Sequence, residues 1–129
     1  MTSKTAAQLV ADAKAEIENL TPEDVLAEQE DSRTLLIDIR EPEERARTGV
    51  ITGSIHAPRG MIEFYADPTG AYHREEFDPD RRIILYCASG GRSALATRTL
   101  REMGYRNVAH LDKGINGWTE RGLPLTTPN

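Results

Sequence analysis

The sequence predicts an α/β domain built on a central parallel sheet with helices on both faces. Three observations carry this. The apolar runs at residues 34–39 (TLLIDI), 83–86 (IILY) and 107–111 (NVAHL) lack strict alternation, as expected of strands buried on both faces. A helical stretch at residues 92–103 separates the last two, and strand, helix and strand in so short a span make a crossover unit with parallel strands. The length of 129 residues suits one domain, able to bury roughly two thirds of its unfolded surface without help from a metal or disulfide.

The elements follow in order. Residues 3–20 carry Ala6, Leu9, Val10, Ala13, Ile17 and Leu20 at three- and four-residue steps, which predicts a helix with one modest apolar stripe. Residues 1–20 are therefore expected to form an N-terminal helical extension on a main domain of residues 21–129. The extension can pack on its own chain or mediate dimerisation, so a monomer and a homodimer both remain open. Thr21, Pro22 and Asp24 form a capping box that starts a second helix. Residues 53–58 predict a further short strand, 59–65 a short helix, and 67–70 and 78–80 turns. The helix at 92–103 turns Leu95, Thr99, Leu100 and Met103 inward and stops at Gly104. A last short helix at 114–121 ends at Gly122 and Pro124.

Composition excludes several classes. The 16 Lys and Arg against 21 Asp and Glu leave a net charge of -5, which argues against a nucleic-acid partner. The longest apolar stretch, residues 83–88, falls far short of the roughly 18 residues of a membrane helix. Residues 1–4 show no secretory pattern, so a cytoplasmic protein is expected. Cys87 is the one cysteine, which excludes an internal disulfide and a Cys-rich zinc site. His56, His73 and His110 are scattered without ligand spacing, so no metal and no cofactor are expected, and each reads as structural or surface.

The chemistry concentrates at Cys87, directly after a predicted buried strand. Ala88, Ser89, Gly90 and Gly91 make a small connection, and Arg92 and Ser93 open the next helix. Ligands of open parallel sheets gather where strands end and helices begin. Glycines let successive N–H groups point inward, and the helix N-terminus adds a positive dipole end. The loop is thus an anion cradle, locally positive in an acidic chain, whose field favours a thiolate nucleophile. The plainer reading, a small buried thiol at a strand end, leaves the paired glycines and the nearby Arg unexplained.

The segment Cys87-Ala88-Ser89-Gly90-Gly91-Arg92-Ser93 resembles the C-x-x-G-x-R-S active-site loop of single-domain rhodaneses, the thiosulfate sulfurtransferases. Residues 36–44 (LIDIREPEE) are similar to that family's strand ending in Asp-x-Arg before an acidic turn. Residues 49–58 (GVITGSIHAP) resemble its G-H-I-x-G-A-x-x-x-P segment, and residues 111–124 its closing L-x-G-G pattern with Trp118, Gly122 and Pro124. The resemblance spans about Thr21 to Pro124 and implies a rhodanese-like three-layer fold, with the N-terminal helix as an addition. It implies a sulfane sulfur moved from thiosulfate or a persulfide to cyanide or a thiol through a Cys87 persulfide, with a protein acceptor also possible. Implied substrate-binding residues are Ala88, Ser89, Gly90, Gly91, Arg92 and Ser93, with Arg59 and Lys113 at the mouth. Val50 stands where the family often has His, Lys113 replaces the first Gly of the closing pair, and Ala88 stands where some rhodaneses carry Arg.

Two alternatives bear on function. Cysteine phosphatases place five residues between Cys and Arg, whereas four intervene here, a smaller cradle suited to one transferred sulfur atom. A non-catalytic rhodanese-like module, serving as sulfur carrier or interaction domain, would need no turnover. For Arg92, two roles stand: contact with a donor sulfonate, or bracing the loop by pairing with a carboxylate such as Asp38. Asp38 itself reads as structural and Trp118 as a core anchor. The stretch Glu41-Pro42-Glu43-Glu44-Arg45 reads as a solvated helix start with no binding role.

Overall fold

The computed structural model describes residues 2–128; Met1 and Asn129, the outer ends of the two expected segments, lie outside the described residues. Its centre is a five-stranded sheet in the order β1-β6-β5-β2-β4, formed by β1 (Glu18–Leu20), β2 (Leu35–Asp38), β4 (Ile55–His56), β5 (Ile83–Tyr86) and β6 (Val108–Leu111). Every pairing in it is parallel. A separate antiparallel pair joins β3 (Val50–Ile51) to β7 (Leu125–Thr126). The helices are α1 (Ala6–Glu16), α2 (Pro22–Glu28), α3 (Pro42–Thr48), α4 (Ile62–Ala66), α5 (Gly91–Glu102) and α6 (Gly114–Glu120). A 3-10 turn at Arg59–Met61 leads into α4. Among the described residues, no helix is long and apolar enough to cross a membrane.

Two cores explain the runs without alternation. Leu35, Ile37, Ile39, Ile83, Leu85 and Cys87 face α4 and α5, with Ala96 and Leu100. The intervening Leu36, Ile84 and Tyr86 face the other way, against Val25, Ile115 and Trp118 of α2 and α6. Apolar side chains are thus required on both faces of each central strand. Trp118 is fully buried, and its Nε1 donates to the Pro124 carbonyl at 2.9 Å.

Three expectations need correction. The first helix stops at Glu16 rather than running to Leu20. Asn19 Nδ2 donates to the carbonyls of Lys14 and Ile17 at 3.0 and 3.1 Å, and residues 18–20 instead satisfy the open edge of β6. The capping box of α2 forms as expected, Thr21 and Asp24 exchanging bonds at 3.0 and 3.1 Å. The buried face of α5 is Ser93, Ala94, Ala96, Thr97 and Leu100, not the set Leu95, Thr99, Leu100 and Met103. Small residues let α5 approach the sheet, while Leu95, Thr99 and Met103 are half-buried at its flanks. The strands β1, β3 and β7 are additions that the sequence patterns did not indicate.

At the end of β2, Asp38 is fully buried and shares the face of Leu36, away from α5. Arg40, also buried, meets it twice, Nε to Oδ1 at 3.0 Å and Nη2 to Oδ2 at 2.9 Å. Arg45 Nε adds 3.2 Å and the Tyr86 hydroxyl 3.0 Å to Oδ2. Burial, and then the Asp38 charge, push the Tyr86 phenol up, so it stays a donor. Arg40 also reaches Thr48 Oγ1 and the Gly49 carbonyl, both at 2.7 Å, and so ties α3 to the sheet. Arg40→Met leaves a buried carboxylate undercompensated. It should cost about 3 kcal/mol in urea unfolding; a loss below about 1 kcal/mol would mean that Arg45 and Tyr86 suffice.

Candidate active site

Cys87 follows β5 at the carboxyl end of the sheet and is 1% exposed. Its sulfur is the focus of three groups. Gly90 N–H lies 3.2 Å from Sγ, Ser93 N–H 3.4 Å, and Ser93 Oγ 3.4 Å. Both amides belong to the loop and first turn of α5, where the helix dipole is positive. Ala88 is half-buried and Ser89 exposed.

The loop holds this shape because a second backbone segment is pressed against it. Gly90, at φ 102°, has no room for a side chain: a Cβ there would stand 2.0 Å from the Asp112 carbonyl oxygen. Gly114 is equally constrained, with the Ala88 oxygen 2.3 Å from any Cβ. Ile115 N donates to the Cys87 carbonyl at 2.9 Å and Asn116 N to that of Ala88 at 3.1 Å. With its carbonyls held by the start of α6, the loop turns amide N–H groups toward the sulfur.

Arg92 does not pair with Asp38. Its guanidinium makes a bidentate pair with Glu44, both bonds 2.8 Å, because Asp38 lies on the opposite face of the sheet and is already bound by Arg40 and Arg45. Glu44 is therefore not an idle solvated acid. It also accepts from Glu41 N at 2.9 Å, closing a capping box on α3. The Arg92 hydrogen bonds hold its carboxyl down to about 2. The expectation of a solvated helix start fails at Glu44 and at Arg45, which is held against Asp38; the spacing from Glu41 marks Glu44 as the capping-box acid, but nothing in the local sequence shows its pairing with Arg92.

The two outer candidates differ. Arg59 Nη1 pairs with Glu63 at 2.8 Å. Lys113 is exposed and directly precedes Gly114. A different cation reaches the loop: Lys14 of α1 pairs with Asp112 at 2.8 Å, and its Nζ lies 3.5 Å from the position of a Gly90 Cβ. The nearby cations Arg92 and Lys14 are each matched by a carboxylate. The donors that reach the sulfur itself are the amides of Gly90 and Ser93.

His110 is fully buried on β6 with both ring nitrogens bonded. Nδ1 lies 2.8 Å from Ser93 Oγ and Nε2 2.7 Å from Asn19 Oδ1. It therefore stands one residue behind the sulfur, a contact that spacing along the chain could not show. Burial pulls its pKa down to about 4. Among the described residues, no cluster of His, Cys, Asp and Glu could hold a metal ion. A cleft of about 860 Å³ lies at the other end of the sheet, away from Cys87, lined in part by Glu18 at the start of β1 and by Thr34, Arg82 and Asn107, which directly precede β2, β5 and β6.

Comparison with known proteins shows a family match over most of the chain. The model for the rhodanese-like domain matches residues 21–121. A sulfurtransferase of Allochromatium vinosum is 37% identical over 103 residues, covering 80% of this chain and 86% of its own. A Rhodopseudomonas palustris protein of unknown function, described as a possible tyrosine phosphatase, superposes with a TM-score of 0.91 at 37% identity, covering 98% of this chain and 97% of that one. The thiosulfate sulfurtransferase of Pseudomonas aeruginosa gives a TM-score of 0.75 at 28% identity, over 96% of this chain and 23% of that one.

The Arg92–Glu44 pair has a pH signature. The folded-state carboxyl is depressed from 4.5 to about 2, so its contribution is full above pH 4.5 and is lost as pH falls toward 2. Glu44→Gln should cost about 1 kcal/mol at neutral pH, given the pair's partial exposure. The gap between the two urea midpoints should close across that acid range. A gap independent of pH would contradict the assignment.

Proposed function

The chain belongs to the rhodanese-like domain family, and on that footing we propose that it is a sulfurtransferase carrying a sulfane sulfur as a Cys87 persulfide. The observation that carries this reading is the convergence of Gly90 N–H and Ser93 N–H on Cys87 Sγ at the start of α5. The Cys87 thiolate attacks the outer sulfur of a donor such as thiosulfate. A bond forms from Sγ to that sulfur, the donor's S–S bond breaks, and sulfite leaves with the electron pair. The terminal persulfide sulfur then carries negative charge, for which inward amides are suitable donors. Cyanide or a thiol, free or on a protein, attacks the terminal sulfur and returns the Cys87 thiolate. No second cysteine exists in the chain to resolve the persulfide as a disulfide, so release depends on an outside acceptor.

In this reading Arg92 braces the loop. Both its terminal nitrogens are engaged by Glu44, which anchors the first turn of α5 to α3. Phosphatase chemistry, raised by the description of the Rhodopseudomonas palustris protein, fits less well. Four residues separate Cys87 from Arg92, and that Arg is held by a carboxylate that a phosphate would have to displace.

Cys87→Ser should lower thiosulfate:cyanide sulfurtransferase activity by about a thousandfold or more with the fold intact by circular dichroism. Undiminished activity in the variant would remove Cys87 from the reaction. The wild type should release no appreciable phosphate from p-nitrophenyl phosphate; turnover there comparable to sulfur transfer would favour the phosphatase.

A further inference from the structure

His110 is a buried titratable group that the transfer steps do not use, and its hydrogen bonds determine where its proton sits. Asn19 fixes the starting point. Its Nδ2 donates to the carbonyls of Lys14 and Ile17 at 3.0 and 3.1 Å, and carbonyls only accept. The amide therefore cannot be reversed, and Oδ1 faces His110 Nε2 at 2.7 Å. An amide oxygen also only accepts, so Nε2 carries the proton.

The consequence passes to Ser93. Burial first, then Lys14, hold His110 down to about 4 against the opposing pull of Asp112, so at neutral pH the ring has one proton and Nδ1 is a bare acceptor. Ser93 is its partner at 2.8 Å and has one hydroxyl proton, which goes to Nδ1. What Ser93 Oγ presents to Cys87 Sγ, 3.4 Å away, is then a lone pair. A thiol S–H can donate to it, and the uncharged inner sulfur of a persulfide can rest against it. A bare thiolate meets two amide donors but an oxygen lone pair in the third direction.

We propose that Asn19 and His110 are positioning residues that turn the Ser93 hydroxyl away from Cys87, favouring the thiol and the sulfur-loaded forms over the free thiolate. Asn19 lies on β1 and Lys14 on α1, both outside the residues 21–121 matched by the family model. The N-terminal segment is in this way part of the site. The charged groups around the chain are Asp112, 3.7 Å from Nε2, Lys14 bound to Asp112, and Arg92 bound to Glu44 near Cys87. The consequence for sulfur loading rests on the persulfide reading; the proton order does not.

The test reads the proton order directly. Long-range nitrogen–proton NMR at neutral pH should show His110 protonated on Nε2 and bare on Nδ1; protonation on Nδ1 overturns the proposal. The second readout is the pH midpoint of Cys87 alkylation by iodoacetamide. Asn19→Ala, at an exposed edge position, frees the ring to donate from Nδ1 so that Ser93 can donate to sulfur. Ser93→Ala removes the lone pair. In both variants the midpoint should fall by about half a pH unit. A midpoint that stays or rises overturns the proposal, because a hydroxyl already donating to sulfur predicts a rise in Ser93→Ala. If the midpoints fall as expected but the wild type moves no sulfur to cyanide, the sulfurtransferase reading fails while the proton order stands.

Discussion

The site depends on one close contact between two stretches of backbone. The loop after β5 and the start of α6 touch where Gly90 faces the Asp112 carbonyl and Gly114 faces that of Ala88, leaving no room for a Cβ at either glycine. This contact allows Ile115 N and Asn116 N to take the loop's first two carbonyls. Once the carbonyls are bound on one side, the amides are available on the other, and Gly90 N–H and Ser93 N–H reach the sulfur. Both glycines adopt positive φ, 102° and 61°, so their backbone freedom is needed as well as their size.

Three ion pairs flank the site. Arg40 is bound to Asp38, Arg92 to Glu44 and Lys14 to Asp112. These pairs tie α3 to the sheet, α5 to α3, and α1 to the end of β6. Oriented amides act on the sulfur at short range and without being screened as exposed charges are.

Much of this was legible in the sequence, for physical reasons that also mark its limits. The runs at 34–39, 83–86 and 107–111 show as strands because both faces of a central parallel strand must be apolar, a property of contiguous residues. The loop at 87–93 shows because its glycines, helix start and nucleophile adjoin. By contrast β1 spans three residues and β3 and β7 two each, too short for a periodic pattern, and they exist through partners far along the chain. Glu44 and Arg92 lie 48 residues apart, and Asn19 and His110 lie 91 apart. Only the sheet order β1-β6-β5 brings Asn19 beside His110 and His110 behind Ser93. The buried face of α5 differs from the expected set of Leu95, Thr99, Leu100 and Met103, keeping only Leu100, because close helix–sheet approach selects small residues such as Ala96 and Thr97.

Sulfur transfer by this chain requires that Cys87 be able to carry a sulfur atom. The most direct measurement is the intact mass of the protein after incubation with thiosulfate and removal of excess donor. Wild-type protein should gain one sulfur atom, lose it on treatment with a reducing thiol, and show no gain in Cys87→Ser. An unchanged wild-type mass, or an equal gain in the serine variant, would contradict the assignment of Cys87 as the sulfur-bearing residue.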